Sequence, residues 1–132
     1  METTIVPELD HFSAPIFEQV CQQYFWRQGL AGRLHFVPEK VGSWWQANQE
    51  VDLVLLGSCN AMLVECKWAS RPVGIDILQE LEGKTAAVSH EMDKQEITYA
   101  ICSRSGFTKQ LEELAGERGD FQLFNWAGML SG

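Results

Sequence analysis

Residues 50–68 read EVDLVLLGSCNAMLVECKW, and the fold turns on how that stretch divides. Two apolar runs, Glu50 to Leu56 and Ala61 to Trp68, flank the tetrapeptide Gly57-Ser58-Cys59-Asn60. Each run has strand length, and the residues between them are turn formers, so the stretch reads as a β-hairpin. Three ionisable side chains interrupt it: Asp52 in the first strand, Glu65 and Lys67 in the second. Because side chains alternate along a strand, Glu65 and Lys67 project to one face, and the hairpin can bring Asp52 beside them. Charges inside core-like strands are costly unless they are paired or bind a metal. Two adjacent carboxylates repel each other, and a divalent cation between them removes that repulsion. Magnesium takes a few carboxylate oxygens while keeping water and phosphate oxygens in its shell. A neighbouring lysine can orient an attacking water and stabilise negative charge in a phosphoryl transition state. An isolated E-x-K has a plainer reading, an ion pair at the strand ends.

Upstream of the hairpin, Phe17, Val20, Cys21, Tyr24 and Phe25 recur at helical spacing, with polar Glu18, Gln19, Gln22 and Gln23 between them. An entry loop, Pro7 to Pro15, precedes this helix, and Gly29 and Gly32 end it. Arg33 to Val41 reads as a first strand with Leu34, Phe36 and Val41 facing inward, Pro38 marking an edge or a bend. Downstream, Ile75, Leu78, Leu81, Ala86 and Val88 predict a helix, and Ile97 to Cys102 a strand, which together make a βαβ crossover. Phe107 to Glu117 reads as a further helix, Phe121 to Phe124 as a short strand, and Asn125 to Leu130 as a terminal turn. The order α-β-β-β-α-β-α-β implies an α/β fold, a mixed sheet with helices on both faces.

A chain of 132 residues with 45% hydrophobic content suits one domain, residues 1–132, around one continuous core. No apolar run approaches the roughly 20 residues that cross a bilayer, and Met1-Glu2-Thr3-Thr4 lacks the features of a secretory signal. A soluble, cytoplasmic protein with no membrane partner is expected. Cys21, Cys59, Cys66 and Cys102 are widely spaced without a CxxC pair, so neither a zinc knuckle nor a redox pair is written in the sequence. Each lies in an apolar stretch and is expected to be a buried, reduced thiol. The net charge of −8, from ten Lys and Arg against eighteen Asp and Glu, speaks against tight autonomous binding to nucleic acid. A metal site itself gathers carboxylates, and bound cations offset part of that charge.

Four segments, IFEQVCQQYF, VGSWW, EVDLVLL and LVECKW, together resemble the PD-(D/E)XK nuclease superfamily. Within it they are similar to the C-terminal restriction-endonuclease-like domain of archaeal-type AAA+ ATPases that also occur in bacteria. The resemblance implies a restriction-endonuclease-like fold in which Asp52 and Glu65 are metal ligands and Lys67 is the catalytic lysine. It also implies that Glu18 is the first-helix acid that completes the catalytic and metal-binding set, with Mg2+ or Mn2+ as cofactor. Nucleic acid, DNA ahead of RNA, is the implied substrate, and an AAA+ ATPase domain in cis or trans the implied partner. Val51 stands where the superfamily often has proline, a variable position. No Walker A pattern G-x-x-x-x-G-K-[ST] occurs, so the ATPase is expected upstream in a longer chain or as a separate protein, the 132 residues then being an excised domain. Homo-oligomerisation stays open.

The competing reading is a catalytically weak or inactive nuclease-fold interaction module attached to such an ATPase; the acidic charge favours it and the intact D…E-x-K set opposes it. Glu50 should share the face of Asp52, as a further ligand or a strand-end charge. Trp44 and Trp45 could stack on bases or pack in the core. Gln79 and Lys84 read equally well as supporting polar residues or as a solvated helix face. His11, His35 and His90 share no motif and are given no role.

Overall fold

The computed structural model describes residues 14–34, 36–46, 49–86 and 96–131. Helix α1 (Ala14–Leu30) is followed by β1 (Lys40–Gln46), β2 (Gln49–Leu56) and β3 (Asn60–Lys67). Helix α2 (Ile75–Glu82), β4 (Glu96–Ser103), α3 (Lys109–Arg118), β5 (Phe121–Asn125) and a short α4 (Trp126–Ser131) complete the order. The five strands form one sheet, β1-β2-β3-β4-β5. Its first three strands run antiparallel, whereas β3, β4 and β5 are mutually parallel. This is the expected mixed α/β sheet.

The near-continuous apolar character of β2 and β3 follows from burial on both faces. On one face Leu53, Leu55, Met62, Val64, Ala100 and Cys102 pack under α1, which presents Phe17, Cys21 and Phe25 at four-residue intervals. On the other, Val54, Ala61, Leu63 and Ile101 meet Leu78 and Leu81 of α2 and Leu111 of α3. Full burial of a side chain such as Phe17 or Leu63 stabilises by roughly 1.5–3 kcal/mol. Thr108 caps α3 by accepting a hydrogen bond from the Leu111 N–H at 3.2 Å, and Gly119 closes it in the left-handed conformation at φ 77°. Among the described residues, no helix is long and apolar enough to cross a membrane.

Three expectations need correction, the shortest being that the segment read as a terminal turn is the helix Trp126–Ser131. The first strand spans Lys40–Gln46, not Arg33 to Val41. Residues 36–39 instead pass close to the end of α1, where a Cβ on Gly29 would stand 2.6 Å from Pro38 Cγ, and the strand starts only beyond that proline. Cys59 is exposed in the hairpin turn, because a tight turn at the sheet margin has no second layer to cover it. Val88 and the three histidines lie outside the described residues.

Candidate functional site

The hairpin ladder pairs Leu53 with Val64 and continues toward the turn through Leu56 and Ala61. Beyond Leu53 and Val64, in the other direction, the two strands are no longer paired, and Asp52 and Glu65 sit at that opening. Asp52 occupies the gap: its Oδ2 accepts the Cys66 N–H at 2.9 Å, substituting for a ladder carbonyl. A bulge accompanies the opening, since β2 advances three residues, Val54 to Val51, while β1 advances two, Gly42 to Trp44. Val51 consequently packs in the same core as Val54, while Leu53 packs beneath α1. This end of the sheet is also the carboxyl end of the parallel strands, where α/β folds commonly bind ligands.

Glu65 lies between two ammonium groups, 3.4 Å from Lys67 Nζ and 3.9 Å from Lys84 Nζ. Lys84 also donates to the Glu50 carbonyl at 2.5 Å, tying the segment after α2 to the start of β2. Burial is the largest cause raising the Glu65 carboxyl above its ordinary value; the Asp52 charge adds to it, and Lys84 and Lys67 oppose it. Asp52 is likewise raised by burial, with the Cys66 N–H, Lys84 and Lys67 pulling the other way. Glu18, approaching from α1, is pushed from 4.5 to about 7 by desolvation and then by Asp52, Glu50 and Glu65. The four acids therefore share one electrostatic neighbourhood with two lysines.

All four sequence-derived candidates, Glu18, Asp52, Glu65 and Lys67, fall in this neighbourhood. Glu50 joins it as an exposed strand-start charge. Lys84 is a member that helical periodicity left undecided between support and solvation. Gln79 is exposed on α2, and the side chains of Trp44 and Trp45 lie outside what the structure describes. Trp68 follows Lys67 and packs on Phe17 at 4.9 Å and on Trp126 at 5.4 Å, with the Arg104 guanidinium 4.9 Å above its ring.

Comparison with known proteins places this geometry in context. The model of a family described as "Archaea bacterial proteins of unknown function" matches residues 1–92, and the chain belongs to that family. An uncharacterized protein of Methanocaldococcus jannaschii is 30% identical over 115 residues, 83% of this chain and 24% of the relative. The chain thus spans about a quarter of that relative's length. A repair endonuclease from Pyrococcus abyssi superposes with a TM-score of 0.55 at 12% identity, covering 82% of this chain and 46% of the endonuclease. A solved protein of unknown function superposes with a TM-score of 0.52 at 20% identity, covering 84% and 58%. The fold is nuclease-like.

Proposed function

We propose that this family member is a divalent-metal-dependent nuclease module that hydrolyses phosphodiester bonds of nucleic acid, DNA in the first place. It acts in the cytoplasm as part of a longer assembly with an AAA+ ATPase domain, in cis or in trans. One observation carries the reading. Where the hairpin pairing ends, Asp52 and Glu65 come from adjacent strands with Lys67 Nζ 3.4 Å from Glu65, and burial raises both carboxyls and that of Glu18 on α1.

That donor set suits magnesium or manganese. Burial is the largest cause of their raised proton affinity and mutual repulsion adds to it; a hard cation with oxygen ligands would offset both. Asp52 and Glu65 would hold the ion, with Glu18 as the third acid. Among the described residues no three acidic oxygens lie within 4.8 Å of one another, so Glu18 would reach an ion held by Asp52 and Glu65 through a bridging water or after its side chain moves. When bound, such an ion supplies Lewis acidity to a phosphate oxygen and lowers the pKa of water.

The chain's own residues have separable tasks. The Cys66 N–H fixes the orientation of Asp52. Lys67 orients the attacking water and faces the negative charge that builds as phosphorus becomes five-coordinate. Lys84 holds Glu65 from the other side and limits the repulsion between the acids.

The test compares the purified chain with Asp52→Asn, Glu65→Gln and Lys67→Ala on labelled single-stranded, duplex and branched DNA and on RNA, with manganese or with chelator. Manganese-dependent cleavage that each substitution reduces by about 100-fold or more, with the fold retained, is the expected result. A wild type that cuts nothing, or variants that cut as well as wild type, leaves the second reading, a nuclease-fold interaction module. The net charge of −8 is the observation that favours it.

A further inference from the structure

Three of the four cysteines converge, although they come from distant parts of the sequence. Cys21 lies on α1, Cys66 on β3 and Cys102 on β4, and the last two are direct partners in the parallel register. Their sulfurs all lie within 4.8 Å of one another. Among the described residues, no other three Cys, His, Asp or Glu side chains bring their ligand atoms this close together. The three residues are 0%, 6% and 0% exposed, and none is in a disulfide. Around them the core is apolar: Phe17, Phe25, Leu53, Met62, Val64 and Ala100 belong to the same cluster.

We propose that Cys21, Cys66 and Cys102 form a closed site for one thiophilic d10 metal ion, monovalent copper in preference to zinc. Thiolate sulfur selects such ions over magnesium or manganese. In a trigonal site with metal–sulfur bonds of about 2.3 Å, the sulfurs stand about 4.0 Å apart. A triad already gathered within 4.8 Å reaches that spacing with side-chain adjustments below one ångström. Structural zinc almost always takes four ligands, whereas the triad offers three sulfurs within a largely apolar cluster; monovalent copper is satisfied by three sulfurs. Coordinating thiols release their protons to solvent as the ion binds, and no oxidant or reductant is needed.

The consequence reaches the neighbouring acidic centre. Glu18 precedes Cys21 by three residues, and Glu65 and Lys67 flank Cys66. An ion in the triad ties the helix that carries Glu18 to the strand that carries Glu65 and Lys67. It is a structural clamp, distinct from the oxygen-ligand site and independent of whether that site cuts nucleic acid.

The experiment uses reduced protein with Cys59→Ser, which removes the exposed thiol, titrated anaerobically with Cu+ in competition with a chromophoric chelator, and separately with Zn2+. One Cu+ per chain, a first shell of three sulfurs by X-ray absorption and a raised melting temperature are expected, with zinc binding more weakly. Adding Cys21→Ala or Cys102→Ala should weaken copper binding by about 100-fold or more and abolish the thermal shift. Circular dichroism checks that these variants fold, and the coordination shell of the Cys59→Ser protein tests the site without them. Copper bound through nitrogen or oxygen, no stoichiometric copper, or binding unchanged in a folded Cys21→Ala variant would each overturn the proposal.

Discussion

Glu18→Gln should flatten the pH dependence of stability of the metal-free protein. The Glu18 carboxyl is at 4.5 in its ordinary state and about 7 in the folded chain. Between those values the folded state holds a proton that the unfolded state has lost. Stability therefore falls as pH rises through this window of about 2.5 pH units, by at most about 1.4 kcal/mol per unit. The destabilising contribution is absent below 4.5 and complete above about 7. Glu18 is partly exposed on α1, so solvent screening reduces the ceiling of about 3.4 kcal/mol to about 1 kcal/mol. Asp52 and Glu65, also raised, act in the same direction. Asp120 is held below 3.8 by Arg118, so its contribution is lost only as pH falls below that value, outside the window.

Urea denaturation followed by tryptophan fluorescence, at intervals from pH 5 to 8 with chelator present, measures the effect. The informative quantity is the stability of Glu18→Gln minus that of wild type, in which histidines and other common groups cancel. That difference should grow by about 1 kcal/mol from pH 5 to pH 8. Manganese at 100 times its dissociation constant should raise wild-type stability by about 2.7 kcal/mol at the alkaline end. A difference that stays flat or shrinks with pH would show that Glu18 does not sit among the acids, and would remove it from the site.

Two other substitutions separate support from chemistry. Lys84→Ala should lower turnover by about tenfold or more without weakening manganese binding, because it removes a positive charge that competes with the ion near Glu65 yet stabilises charge during reaction; isothermal titration showing a loss as large as in Glu65→Gln would contradict this. Phe17→Ala empties a fully buried position beneath Trp68 and Trp126 and should cost about 3–5 kcal/mol in chemical denaturation, and a loss under 1 kcal/mol would mean that α1 is not docked through that ring.

What the sequence discloses is what local pattern controls. The hairpin is legible because strand alternation, turn residues and the interrupting charges all lie within nineteen consecutive residues. The β1 boundary is not, because Leu34 and Phe36 satisfy strand alternation while the placement of residues 36–39 depends on Pro38 meeting Gly29 of α1. The bulge near Asp52 is equally hidden: EVDLVLL alternates no differently with or without it, and only the register against β1 reveals it. Lys84 becomes a site residue only once the chain after α2 folds back on the start of β2. The cysteine triad is the extreme case. Spacings of 45 and 36 residues carry no ligand signature, and the triad arises from the β3–β4 register and the docking of α1.

The same distinction between local and global bears on charge. The −8 of the whole chain counts acids that lie far along the sequence from the hairpin opening, such as Glu112, Glu113 and Glu117 on α3. At physiological ionic strength exposed charges are screened over about 8 Å, so the potential met by a phosphate depends on its immediate neighbours. Around Lys67 those neighbours include Lys84 across Glu65, and Arg71 and Asp76 in a shared cavity of ≈ 560 Å³. Lys84 and Arg71 therefore add positive charge near Lys67, against Asp76 and the acids proposed to hold the metal ion. Net charge argues against affinity from the surface at large, and it leaves the chemistry at the hairpin opening untouched.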